Sequence, residues 1–158
     1  EESHSLIASR ALSYGDGLFE TIAYRDGSLR LWDRHMDRLV SGCERLYLDS
    51  PNLADLKVEA LAALGERANG VVKILISRTT AHRGYSPVPA TGIDRIVQAF
   101  DWPDNYALWQ SRGIKLGLCK MQISDNVTLA GIKHLNRPEQ VLAAKEDAEK
   151  GWDEGLVW

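Results

Sequence analysis

Cysteine is scarce in this chain of 158 residues, which carries only Cys43 and Cys119. The two are far apart and form no C-x-x-C pair, so neither a zinc site nor a disulfide framework is indicated. No metal-ligand cluster is expected. Two thiols without a secretion signal fit the reducing cytoplasm, and both read as small buried hydrophobes. Basic charge is also in short supply. A formal net charge of −3 and a pI near 5.8 argue against a nucleic-acid partner, whose binding face would be basic. Long apolar runs are absent, and none approaches the roughly 18 residues of a membrane span. The opening Glu1-Glu2-Ser3-His4 lacks the basic start and apolar middle of a signal peptide. It also lacks an initiator Met, so a few native residues are expected to be missing. Neither an internal repeat nor a low-complexity stretch is present.

What remains is ordinary soluble-protein composition, 44% hydrophobic and 26% charged. The length suits one domain, or one domain and part of another. Residues 18–25 and 28–32 read as strands. Asp26-Gly27 between them is a strong hairpin signal, because both turn positions need positive φ. A helix follows over about 33–48, with Asp33 as its cap. Its apolar stripe is Met36, Leu39, Val40, Cys43, Leu46 and Tyr47. A second helix is expected over about 53–68, with Leu53, Leu56, Ala60, Leu61 and Leu64 inward and Asn69-Gly70 as its stop. Val71 to Ile76 reads as a central strand, and Ile93 to Phe100 as another. The long loop between them, Thr79 to Gly92, has the length and composition of a functional loop.

Residues 101–106 break the pattern and read as a linker. Beyond it, Ile114 to Lys120 alternates as a strand. Asn136-Arg137-Pro138-Glu139 carries three helix-start signals: a capping Asn136, Pro138 in the first turn, and Glu139 at the capping-box position. Gly151 ends that helix, and Leu156-Val157-Trp158 opens one more strand. The order β-β-α-α-β-β, then β-α-β, describes a small α+β domain over 1–100 and the start of a second over 107–158. The chain is therefore expected to be a fragment.

The most informative run is Leu129-Ala130-Gly131-Ile132-Lys133-His134-Leu135-Asn136-Arg137. It sets one amine at the end of a short apolar segment, just before a helix start. A free lysine titrates near pH 10.4, so a nucleophilic lysine needs its pKa lowered. The positive end of the following helix and the apolar Leu129 and Ile132 both favour a neutral amine. Such an amine can condense with an aldehyde. Tyr14-Gly15-Asp16-Gly17 reads as a tight turn into a strand. No third glycine follows at dinucleotide spacing, so it is not a Rossmann fingerprint. Phe19 and Thr21 alternate onto one face of that strand and are candidate pocket lining, while Glu20 points the other way.

Four segments stand together: Ser13 to Thr21, His35-Met36-Asp37-Arg38-Leu39, Ser77-Arg78 with Arg83-Gly84-Tyr85-Ser86, and Ala130 to Arg137. In this order and spacing the chain resembles the fold-type IV pyridoxal-phosphate enzymes from about Ser9 to Trp158. That family holds branched-chain and D-amino-acid aminotransferases and the aminodeoxychorismate lyases. Ile132-Lys133-His134-Leu135-Asn136-Arg137, followed by Glu139-Gln140-Val141-Leu142, brings it nearest to the lyase branch, and Arg83-Gly84-Tyr85 supports that.

The resemblance implies a two-domain fold whose second domain is incomplete here. It implies pyridoxal 5′-phosphate joined covalently to Lys133 and contacted at its phosphate by Arg38. On the helix wheel alone Arg38 belongs to a solvated face, and the two readings agree if that face looks into a cleft. The resemblance further implies a homodimer acting in folate synthesis, forming 4-aminobenzoate and pyruvate from aminodeoxychorismate. That substrate carries two carboxylates, which gives Arg83 a purpose. Tyr85 and Arg137 are lesser substrate candidates. The pyridine-nitrogen glutamate and most phosphate ligands of the family fall past Trp158, so this length of chain should bind cofactor poorly. A class IV aminotransferase and a non-catalytic binding domain are the alternatives.

Overall fold

The computed structural model describes residues 9–79, 84–87 and 92–158. They form two compact units. The first holds the described residues up to Trp102 together with Gly131–Leu135, and the second holds Pro103–Ala130 and Asn136–Trp158. Among the described residues no helix is long and apolar enough to cross a membrane.

The first unit starts with a short helix α1 (Arg10–Tyr14) that closes on Gly15 in the left-handed region. The hairpin of β1 (Gly17–Arg25) and β2 (Ser28–Leu29) follows. Asp26 and Gly27 turn it with φ of 52° and 72°, the signs that the Asp-Gly signal requires. Next come α2 (Trp32–Arg45), α3 (Leu53–Leu64), β3 (Gly70–Arg78) and β4 (Ile93–Asp101). The sheet order is β2-β1-β3-β4, with antiparallel pairing throughout. Alternate residues of a strand share a face. Leu18, Glu20 and Ile22 of β1 and Val72, Ile74 and Ile76 of β3 are therefore turned to one side and buried. Met36, Leu39 and Cys43 of α2 and Leu56, Ala60 and Leu64 of α3 complete that core.

In the second unit, α4 (Asn105–Arg112) precedes β5 (Leu116–Leu118), α5 (Pro138–Lys150) and β6 (Glu154–Leu156). β5 and β6 pair in parallel, as strands joined through a helix must be able to do. Both cysteines are free and buried. Burial, with Glu44 nearby, pushes the Cys43 thiol up to about 11.

Several sequence expectations are corrected. Asp33 does not cap α2. It lies in the first turn, and Leu31 occupies the cap position with a positive φ of 55°. Tyr47 leaves the apolar stripe because the chain turns there with φ 53°, and its side chain is exposed. α3 is shorter than expected, capped by Asn52 and stopped at Gly65, so Asn69-Gly70 instead leads into β3. Leu53 and Leu61 are exposed, on the flank of that helix rather than its core face. The strand expected over Ile114 to Lys120 shrinks to three residues.

α5 begins at Pro138 with Arg137, not Asn136, at the cap position. The Glu139 carboxylate accepts from the Ser124 backbone N–H and hydroxyl. α1 and α4 were not foreseen. α4 buries none of its residues, so the apolar periodicity that would announce it is missing.

Candidate functional site

The lysine segment is delivered by strand pairing. β2 pairs only with Tyr24 and Arg25 at the far end of β1. The edge beside residues 17–19 is therefore open, and an open edge invites another strand. Residues 133–135 take it. Phe19 N–H donates to Lys133 O and Leu135 N–H to Gly17 O, each at 3.0 Å, with Leu18 and His134 bridged antiparallel between them. This register sets Lys133 opposite Phe19 on one face, and the next residue of each strand on the other. The Lys133 Nζ accordingly sits over the Phe19 ring, 4.2 Å from its centroid.

Gly17 makes the close approach possible. A Cβ there would lie 2.8 Å from Leu135 Cδ1 and 3.0 Å from Ser77 Cα, and closer still to Ile76 O. Gly17→Ala is therefore expected to push the lysine segment off β1 and to destabilise the unit by about 1–3 kcal/mol, as overpacking does. Urea unfolding checks the stability, and protection of the Leu135 amide from hydrogen exchange checks the displacement. Unchanged protection would show that the segment does not depend on the gap.

Lys73, paired across from Thr21, reaches the same face with its Nζ 5.5 Å from the Phe19 ring centroid. Beside it, on the same face, a cavity of about 240 Å³ is bordered by Ser9, Ala11, Leu75, Ser77, Asp94, Ile96 and Leu135. Phe19 is half-buried and Thr21 exposed, both on this face, as the alternation predicts.

Arg38 does not stand alone on a solvated helix face. Its Nε and Nη2 both donate to the Glu20 carboxylate at 2.6 Å, and His35 Nδ1 lies 2.7 Å from the same group. Using the Nε–Nη2 edge turns Nη1 away from Glu20. Glu20 is almost wholly buried whereas Arg38 is half-exposed. Burial alone would push the Glu20 carboxyl up, but the bonds from Arg38 and His35 outweigh it and hold it below its ordinary value. Arg38 is held more firmly charged by the same pairing. Phe19 and Glu20 are neighbours in β1, so Lys133 and Arg38 approach that strand from opposite sides.

The lowered Glu20 pKa has a signed consequence. The ionised carboxylate stabilises the fold at pH above its ordinary 4.5, and that contribution fades as pH falls through the lower folded value. Glu20→Gln is expected to cost about 2 kcal/mol at neutral pH, discounted for the solvent around Arg38. The gap to wild type should close in acid. Denaturant titrations across that range test it, and a gap independent of pH would remove the charge from the explanation.

Glu20 is the residue that sequence reasoning left without a role. Its signal was present: an acid on the apolar face Leu18-x-Glu20-x-Ile22 needs a cation, and His35 and Arg38 lie three apart on one helix face. Lys73 was likewise missed, seen only as an interruption in an apolar run. Of the remaining candidates, Tyr85 is exposed at the turn after Gly84. Arg83 lies outside the described residues. Arg137 belongs to the second unit, where burial lowers its guanidinium pKa.

Comparison with known proteins bears on this arrangement. The family model described as amino-transferase class IV matches residues 17–158. The aminodeoxychorismate lyase of Vibrio harveyi is 36% identical over 145 residues, covering 92% of this chain and 54% of its own length. The crystal structure of 4-amino-4-deoxychorismate lyase from Pseudomonas aeruginosa matches with a TM-score of 0.79 at 39% identity, covering 96% of this chain and 56% of that one. The branched-chain amino acid aminotransferase of Escherichia coli gives a TM-score of 0.82 at 21% identity and speaks for the fold alone. The chain spans about half the length of the curated relatives it matches.

Proposed function

The chain belongs to the class IV aminotransferase family, and from that membership we propose that the protein carrying it is a pyridoxal-phosphate-dependent lyase. Its reaction is the conversion of 4-amino-4-deoxychorismate to 4-aminobenzoate and pyruvate, a step of folate synthesis. The observation that carries the reading is the seat of Lys133 over Phe19, in a chain 36% and 39% identical to two proteins named as such lyases.

The residues present fit the cofactor. An aldehyde needs an amine on a fixed backbone, and the pairing with β1 fixes Lys133. A phosphate needs a fork of donors, and Arg38 keeps Nη1 turned away from Glu20 for that purpose. When bound, pyridoxal phosphate supplies an electron sink for the charge left by proton removal.

The chain's own residues then divide the work. Lys133 Nζ takes the proton from the substrate ring carbon that bears the amino nitrogen. The bond from the adjacent ring carbon to the enolpyruvyl oxygen breaks, the ring becomes aromatic, and the released enolpyruvate takes up a proton to give pyruvate. Phe19 shields one side of the amine, and Thr21 lines the same face. Arg83, Tyr85 and Arg137 are assigned to the substrate side, where two carboxylates need cationic and hydroxyl partners. The protein is read as a cytoplasmic homodimer, to which its two reduced thiols and the family resemblance are suited. Sedimentation of the full-length protein tests the dimer.

The test of the activity supplies aminodeoxychorismate and pyridoxal phosphate to the full-length protein with no amino acceptor. Equal formation of 4-aminobenzoate and pyruvate is expected. No product, together with nitrogen exchange between an amino acid and a keto acid, would reassign the protein to the aminotransferases.

A further inference from the structure

We propose that Arg10 is a positioning residue for substrate recognition, holding the Gly84–Tyr85 turn against α1 so that Tyr85 is presented in a fixed place. This rests on the reading of Tyr85 as a substrate-side residue. Arg10 is only 5% exposed although it lies in a five-residue helix near the chain start. A buried guanidinium must have its donors taken, and two of the three nitrogens of Arg10 find their partners across a long sequence distance. Nε donates to Asp16 Oδ2 at 2.7 Å, Nη1 to Gly84 O at 2.9 Å and Nη2 to Tyr85 O at 3.2 Å.

Tyr14, one helical turn on, works on the same target. Its hydroxyl accepts from Gly84 N–H at 3.0 Å, and its ring lies tilted against the Tyr85 ring with centroids 5.4 Å apart. The Arg10 guanidinium stacks over Tyr14 at 4.9 Å. Two carbonyls, one amide and one ring of the turn are thus all held by α1.

The anchor is tied to the reaction strand as well. Asp16, which immediately precedes β1, is shared with Arg78 at the end of β3, whose Nε lies 3.0 Å from Oδ2. Arg78 donates its other nitrogens to Leu46 O and Tyr47 O, each at 2.7 Å, closing the end of α2. One carboxylate between two guanidiniums leaves an excess of one positive charge beneath the turn, which favours an anionic substrate. What sets the Arg10 fork apart from that of Arg78 is that the turn it holds carries Tyr85 on its surface.

The test uses the full-length holoenzyme with Arg10→Lys and, separately, Tyr14→Phe. Lysine keeps the charge beside Asp16 but has no fork to reach both carbonyls. The phenylalanine keeps the ring and removes the acceptor of the Gly84 N–H. Hydrogen exchange at the Gly84 amide is expected to quicken about tenfold in each variant. KM for aminodeoxychorismate should rise about tenfold with kcat within about twofold and cofactor content unchanged. Unchanged exchange would overturn the anchor. Faster exchange with unchanged KM, or kcat falling in step with thermal stability, would overturn the role in recognition. If wild-type protein forms no 4-aminobenzoate at all, the lyase reading fails, and the exchange rates still decide whether the anchor exists.

Discussion

Lys133→Ala in the full-length protein is expected to abolish formation of 4-aminobenzoate, a loss of at least about 10³-fold, because one substitution removes both the covalent attachment point and the base. The fold should survive it. Lys133 contributes its backbone carbonyl to the bond with Phe19 N–H, and alanine keeps that carbonyl. The variant should therefore unfold at nearly the wild-type denaturant concentration while failing to hold cofactor through its chain. Near-normal turnover would take Lys133 out of the mechanism altogether. Lys73, whose Nζ is 5.5 Å from the same ring, would then be the next amine to replace.

The second large effect is expected at Arg38. Arg38→Ala should weaken cofactor binding about 10- to 100-fold, the worth of one or two charge-assisted bonds to a phosphate. It should also leave the buried Glu20 facing His35 alone. Part of the cost therefore appears as lost stability, and the two contributions separate in Arg38→Lys. Lysine restores a charge near Glu20 but cannot span both its oxygens and a phosphate. Recovery of stability without recovery of cofactor affinity is the expected pattern. Equilibrium dialysis with pyridoxal phosphate measures the affinity, and an unchanged value in Arg38→Ala would end the phosphate assignment.

Much of the fold was legible in the sequence because burial there follows simple periods. The stripe Met36, Leu39 and Cys43 announced α2, and Val72, Ile74 and Ile76 announced a central strand with one face in the core. The Asp26-Gly27 turn was legible for a different reason, since few residues tolerate its backbone. Failures came where tertiary partners decide local structure. The cap position of α5 falls to Arg137 rather than Asn136, and Ser124, fifteen residues before Glu139, donates to its carboxylate. α4 left no trace because it buries nothing. The strand around Leu116 shrank because Leu116 and Leu118 both stand exposed.

The site divides along the same line. Lys133 and Arg38 are candidates through a family resemblance and not through any pattern of burial. Their setting was invisible in one dimension. No local rule says that residues 133–135 complete the edge of a strand that starts at Gly17, because the pairing joins segments more than a hundred residues apart. Glu20 was placed on the correct face but given no partner, since α2's approach to β1 is a matter of packing. Arg10 was hidden for the opposite reason: an isolated arginine in a polar stretch reads as surface, and Asp16 with the carbonyls of Gly84 and Tyr85 gives it a reason to be buried.

The central claim is that Lys133, carried on the open edge of β1, is the amine that bonds the cofactor. The most direct measurement reduces the full-length protein with borohydride in the presence of pyridoxal phosphate and maps the modified peptide by mass spectrometry. The account predicts a single cofactor-sized addition on the peptide containing Lys133. Modification at Lys73 instead, or none at Lys133, would contradict it.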